Sequence, residues 1–131
     1  MMPHFTVRLV EETVDGKIEG RLIRALTEAV VEVAGEWARE LVVVELFGVP
    51  RERWGVGGAT PATPEQDPYV VTLNMREGAL DGSRIPDAPA RLIASITNAV
   101  GEVVGEAARA GVSVLLVGVP PGRSGVGGEV V

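Results

Sequence analysis

The sequence contains no cysteine and only one histidine, His4. Without cysteine, the chain can form no disulfide, no thiolate zinc site and no cysteine nucleophile. A single histidine makes a histidine-based metal site or a Ser-His-Asp triad a poor expectation. Aromatic residues are also scarce, at 4% of a chain that is 46% apolar, so we expect an aliphatic core. Any chemistry must therefore come from other groups.

The chain also lacks a run of basic residues and a long apolar segment. Its 12 basic and 18 acidic side chains give a formal net charge of −6, which disfavours nucleic acid and anionic membranes as partners. No apolar stretch approaches the ~20 residues that a membrane span needs, and the N-terminus lacks the layout of a signal peptide. These absences predict a cytoplasmic protein.

The most informative feature that is present is an internal repeat. Residues 48–58 recur as residues 118–128, and residues 21–30 recur as residues 91–100, both at an offset of 70 residues. Two segments that share one offset indicate a small unit that was duplicated and fused. Trp54 in the first copy is replaced by Ser124 in the second. We therefore expect the halves to share a fold and to differ in role.

Apolar periodicity gives the same order of elements in both halves. Residues 4–10 alternate as a strand with one buried face, a helical stripe runs from Ile18 to Trp37, and residues 41–47 form a β-branched strand. The second half predicts a strand at 69–75, a helix face from Leu92 to Ala107 and a strand at 112–117. Each half is thus strand, helix, strand.

A strand–helix–strand unit pairs its strands in parallel through a crossover helix. Two such units predict an α/β fold, with a four-stranded sheet and both helices on one face. We expect one compact domain with a first unit at residues 1–60, a proline-rich linker at 61–67 and a second unit at 68–131. The apolar strands 41–47 and 112–117 indicate that the other face is covered by oligomerisation.

Two motifs resemble one protein family. Met2-Pro3-His4-Phe5 opens the first strand, and the turn 50–58, of sequence Pro-Arg-Glu-Arg-Trp-Gly-Val-Gly-Gly, follows the second. Together they resemble the tautomerase superfamily over nearly the whole chain, most closely a fused form of 4-oxalocrotonate tautomerase. The resemblance implies a tautomerase/MIF-like fold, a homotrimer and an isomerase that interconverts keto and enol forms of a small carbonyl acid. It implies no metal and no organic cofactor.

The resemblance also implies which residues act. Pro3, freed by removal of methionine, would be the general base, since a neutral secondary amine can take a proton next to a carbonyl. Arg76 lies in a segment that resembles the carboxylate-binding Arg-Glu-Gly of cis-3-chloroacrylic acid dehalogenase. Arg8 is a second candidate for substrate binding, with a structural ion pair equally open. Trp54 would form a wall of the site, with packing at the subunit interface equally open. Pro68 sits at the matching place in the second half, but its nitrogen is locked in a peptide bond.

A second hypothesis is a non-catalytic tautomerase-fold protein. The arginines that short tautomerases carry align with Thr13 and Val43, and the chain begins Met1-Met2-Pro3. If Met2 stays attached, Pro3 has no free amine, and the protein would be a structural subunit or a binder of a small ligand. The arginines of the turns, Arg51, Arg53 and Arg123, are expected to be solvated, with contact to a substrate in a neighbouring subunit as the alternative.

Overall fold

The computed structural model describes residues 2–131. Met1, one of the two possible start residues, lies outside the described residues. The strands and helices follow in the order β1 (His4–Val10), α1 (Glu19–Ala34), β2 (Val43–Val49), β3 (Tyr69–Arg76), α2 (Glu77–Leu80), α3 (Ala88–Val104), β4 (Val112–Val119), β5 (Gly125–Val126) and β6 (Glu129–Val130). Short 3₁₀ turns join them, and they include Glu36–Leu41, Arg51–Arg53, Pro64–Gln66 and Glu106–Gly111.

The four long strands form one sheet in the order β2-β1-β3-β4. The strands of each half are parallel, β1 with β2 and β3 with β4, whereas β1 and β3 are antiparallel at the centre. The predicted tandem of two strand–helix–strand units is therefore confirmed. Because β1 and β3 are antiparallel, the start of β1 lies beside the end of β3.

The core lies between the sheet and the two long helices, which share one face. Every second residue of β1 and β3 is buried there, because a strand alternates its side chains between two faces. The main contributors are Phe5, Val7, Leu9, Leu22, Leu26, Val71, Leu73, Leu92 and Ile96. The helices also touch each other directly, where Ser95 Oγ donates to the carbonyl oxygen of Ala29 at 3.1 Å.

The opposite face of the sheet is open in the single chain and partly apolar. Phe47 on β2 is 46% exposed and Leu115 on β4 is 58% exposed, and both belong to this face by strand register. Val43 and Val117 are exposed beside them. A patch of this kind marks an interaction surface in a folded protein.

The strand register defines an internal two-fold relation that corrects one sequence expectation. His4 pairs with Val43, and Val70 pairs with Ser113, which stands 70 residues after Val43 in the repeat. His4 therefore corresponds to Val70, and Pro68 corresponds to Met2. The prediction that Pro68 matches Pro3 is wrong by one residue, because the first strands are related by a different offset from the remainder of the repeat.

The first helix is shorter than the apolar stripe predicts. It ends at Ala34, because Gly35 adopts φ 113° and ψ 164°, a conformation that is essentially restricted to glycine. Trp37 consequently lies in the following 3₁₀ turn with 52% of its surface exposed, and is no part of the helical core face. Among the described residues, no helix has the length and apolarity required to cross a bilayer.

Side-chain contacts repeat along with the backbone. Arg39 bridges Glu28 and Glu36 after α1, and Arg109 contacts Asn98 and Glu106 after α3, each 70 residues further on. The glycine-rich turns also repeat, as a bridge between Val56 and Ala59 and as the β5–β6 hairpin. The duplication is thus preserved in structure where the sequences of the two halves have diverged.

Candidate functional site

Pro3 and Arg76 lie at the same end of the sheet although they come from opposite halves. In the β1–β3 ladder His4 faces Asn74, so Pro3 is one residue before this pair and Arg76 two residues after it. Neighbouring strands are ~5 Å apart, which makes the two residues close neighbours. Pro3 is buried and its carbonyl oxygen accepts a hydrogen bond from the Val43 amide at 2.9 Å. The start of β1 is thus fixed against β2.

The side chains of this pair leave the sheet in different directions. Pro3 continues the helix-facing series of Phe5, whereas Arg76 continues the open-face series of Thr72 and Asn74. The nitrogen of a proline, however, belongs to the backbone and lies at the strand terminus, within the plane of the sheet. A ligand bound at Arg76, at the same end of the sheet, could therefore reach a free nitrogen at Pro3.

Arg76 lines a cavity of about 310 Å³ at this end of the molecule, here called the Arg76 cavity. Its wall combines the segment after β3 with the turn after β4 and the 3₁₀ turn after α1, and its lining side chains include Trp37, Glu77, Arg84, Pro121 and Ser124. Pro3 is not among the described residues that line it. Within residues 2–131, no group of three or more histidine, aspartate or glutamate side chains is arranged to bind a metal ion.

Arg8 and Trp54 lie at the opposite end from Pro3. Arg8 is exposed on the open face beside Phe47 and Val70, five residues along β1, or ~16 Å from Pro3. Trp54 is half-buried and lines a second cavity of about 580 Å³ together with Pro68 and other residues, here called the Trp54 cavity. One chain therefore does not bring either residue to Pro3.

Arg51 is held in a network of ion pairs, contrary to the expectation of a solvated charge. Its Nη1 and Nη2 donate to the two carboxylate oxygens of Asp67 at 2.5 Å and 3.0 Å, and Nη2 also donates to Glu12 at 3.0 Å. Asp67 is buried, with 5% of its side chain exposed. The hydrogen bond with Asp67, and then the charge of that carboxylate, raise the pKa of Arg51. The pair fixes the linker to the turn that carries Trp54.

Sequence reasoning missed three residues of these regions. Asp67 was assigned to the linker, although its position immediately before Pro68 and the start of β3 was a signal that it is fixed. Arg84 was not singled out, since it lies in a glycine- and proline-containing loop. The spacing of Trp37 fits the helical stripe, whereas Gly35, two residues before it, is the signal that the helix ends.

Comparison with known proteins agrees with the fold described above. Residues 3–63 match the sequence model of the family described as tautomerase enzymes. A solved wild-type fused 4-OT, described as an asymmetric trimer, is 24% identical with a TM-score of 0.78, over 97% of this chain and 94% of that chain. A protein solved after inactivation by 2-oxo-3-pentynoate is 19% identical with a TM-score of 0.78, at the same coverage.

A macrophage migration inhibitory factor-like protein from Entamoeba histolytica is 12% identical with a TM-score of 0.73, over the whole of both chains. At these identities the similarity to solved structures establishes a shared fold. No curated protein matches the sequence.

Proposed function

We propose that the chain interconverts keto and enol forms of a small carbonyl acid, because residues 3–63 match the model of tautomerase enzymes and the whole chain shares the fold of fused 4-OT. Pro3, released as the amino terminus, is the general base in this proposal, and Arg76 binds the substrate carboxylate. The observation that carries the proposal is the antiparallel β1–β3 pairing, which sets the start of one half beside Arg76 of the other.

The chemistry needs no more than an amine and a nearby cation. A free α-amino group has a pKa of ~7.7–8.0, and burial together with a neighbouring arginine disfavours the charged form and lowers that value. A neutral proline nitrogen at pH 7 can then remove a proton from the carbon next to a carbonyl. The arginine stabilises the negative charge that develops on the enolate.

We further propose a homotrimer in which the open sheet face is the contact surface. Phe47 and Leu115 supply exposed apolar area on this face, and the related fused 4-OT is described as a trimer. In such an assembly, Arg8 and Trp54 of a neighbouring subunit could lie beside Pro3 and contact the substrate, which they cannot do within a single chain. Trp54 would then exclude water from the site of proton transfer.

Kinetics of keto–enol conversion test the proposal, with phenylenolpyruvate or 2-hydroxymuconate as substrate. Pro3→Ala should lower kcat by ~10²–10⁴, the usual contribution of a positioned base. The matched control is Pro68→Ala, which alters the proline of the second half and should leave turnover nearly unchanged. Arg76→Ala should raise KM at least tenfold. Turnover that survives Pro3→Ala, or that is lost in a folded Pro68→Ala protein, would contradict the assignment of the base.

The second candidate function is a non-catalytic binder of a small carboxylate. It is favoured by one observation, that Arg76 and Arg84 line the Arg76 cavity whereas Pro3 is not among the described residues that line it. The mass of the intact protein separates the two proposals. A chain that begins at Pro3 supports the isomerase, whereas a chain that keeps Met2 leaves no base and supports the binder.

A further inference from the structure

Trp37 is an exposed aromatic side chain that is nevertheless held in a fixed orientation. Its Nε1 donates a 2.7 Å hydrogen bond to the carbonyl oxygen of Ala34, in the last turn of α1. The ring lies against Gly35, where an added Cβ would stand 3.0 Å from Cδ1 and 3.1 Å from Nε1. Gly35 therefore leaves room for an indole that is oriented by the backbone and remains 52% exposed.

The second half of the chain has no such aromatic residue. Trp37 corresponds to Ala107 in the repeat, and a Cβ added to Gly105, the counterpart of Gly35, would meet open space. Both glycines have the same unusual backbone, with φ near 113° and 112°. The glycine conformation is thus common to both halves, while the aromatic ring is specific to the end of the sheet that carries Pro3 and Arg76.

Trp37 is accompanied by two arginines that form no ion pair among residues 2–131. Arg76 and Arg84 both line the Arg76 cavity, and both are exposed. Trp37 and Arg84 also line an adjoining cavity of about 330 Å³, so these two side chains lie between the Arg76 cavity and its neighbour. Glu77 is the one acidic side chain among the described residues that line the two cavities. This end of the sheet therefore combines an exposed flat ring with two exposed cations.

We propose that Trp37 and Arg84 form, with Arg76, the subsite that selects a planar conjugated carboxylate as ligand. This inference rests on the proposed function, since it adds two ligand-binding residues, Trp37 and Arg84, to the site of Arg76. A flat unsaturated chain stacks on the exposed face of Trp37, which removes apolar area from water on both partners. Its carboxylate lies between the two guanidinium groups, where charge-assisted hydrogen bonds are strong. A saturated acid of similar size presents no flat face and binds less well.

Calorimetric titration with trans-cinnamate tests the subsite without any need for turnover. Trp37→Ala, which installs the residue of the second half, should weaken cinnamate binding about three- to tenfold. It should change the binding of 3-cyclohexylpropanoate, the saturated comparison, by a smaller factor. Arg84→Gln should weaken both carboxylates about tenfold and leave neutral cinnamamide unaffected.

The matched control is Ile23→Ala, which also truncates an exposed apolar side chain but lies on α1 outside the cavities described above, and it should leave cinnamate binding unchanged. Trp37→Phe keeps a ring and should retain most of the affinity, so it separates a loss of stacking from a loss of folding. Cinnamate affinity that is the same in wild type and Trp37→Ala, that falls as much in Ile23→Ala as in Trp37→Ala, or that is undetectable in wild type overturns the inference.

The titration also distinguishes this subsite from the proposed reaction. Pro3→Ala should lose turnover and keep its cinnamate affinity. A wild-type protein whose cinnamate binding depends on Trp37 and Arg84, but which shows no keto–enol turnover, supports the subsite and refutes the isomerase.

Discussion

Replacing Gly35 with alanine should be more damaging than the same change at Gly105, its counterpart in the repeat. Both glycines have a positive φ and an extended ψ, a conformation that costs any other residue about 1–3 kcal/mol. Gly105→Ala should therefore lower the free energy of unfolding by about that amount. It adds no steric conflict, because nothing lies within 4 Å of the new Cβ.

Gly35→Ala carries the same backbone cost and adds a steric conflict with Trp37. The new methyl group would lie 3.0 Å from the Trp37 ring, so the indole must move away from its 2.7 Å bond to the Ala34 carbonyl. A hydrogen bond of this kind contributes a net ~0.5–1.5 kcal/mol, and Gly35→Ala should exceed Gly105→Ala by a similar difference. The displaced ring should also weaken cinnamate binding, which Gly105→Ala should leave intact.

Urea unfolding followed by circular dichroism gives both free energies, measured at two protein concentrations because assembly contributes to stability. The fluorescence of Trp37, recorded in a Trp54→Phe background, reports the position of the ring. Equal destabilisation by the two substitutions, or an unchanged Trp37 emission spectrum in Gly35→Ala, would refute the reasoning from the close contact.

Three further predictions concern charges and assembly. Arg51→Ala should lower the urea midpoint more than Asp67→Ala, because it leaves a buried carboxylate without its partner, and the double variant should lose less than the sum; additive losses would argue against a coupled pair. The hydrogen bond from Arg39 lowers the pKa of Glu28 below its ordinary 4.5, so this contribution to stability is present above that pH and is lost as the pH falls through the folded value. NMR titration of Arg39→Gln should therefore show the pKa of Glu28 rising, and an unmoved titration curve would exclude the contact in solution. Leu115→Lys should shift sedimentation from trimer to monomer with unchanged helix content, whereas a trimer that persists would remove the open face as the contact surface.

The repeat allowed most of the architecture to be predicted, since two similar strand–helix–strand units imply four strands and two helices on one face. It did not predict the strand order, because the antiparallel pairing of β1 with β3 is a contact between the two units. The first strand was predicted with its observed bounds, His4–Val10, because its alternation is strict. Strand β4 extends two residues beyond the predicted range 112–117, to Val119, because its pairing with β3 continues as far as Arg76. Register was harder to predict. The counterpart of Pro3 could not be identified from the offset of 70, because the loop after the first strand differs in length between the halves.

The candidate site was less predictable than the fold, for a physical reason. Pro3 and Arg76 were named from motifs, and their proximity depends only on which strands pair. The pairing of Arg51 with Asp67 depends on the path of the linker, which apolar periodicity does not describe. The exposure of Trp37 was decided by one backbone angle at Gly35, and the helical pattern around it gave the opposite indication.

The two halves of the chain are held together by the antiparallel pairing of β1 with β3, so their association does not depend on the linker alone. We propose that a chain cut within the linker, at residues 62–65 where the backbone is exposed, yields two fragments that reassociate in solution. Each fragment could then be labelled with a different isotope, or carry its own substitution, in an otherwise native assembly. Arg51 belongs to the first fragment and Asp67 to the second, so their ion pair becomes a contact between molecules that helps to select the correct partner.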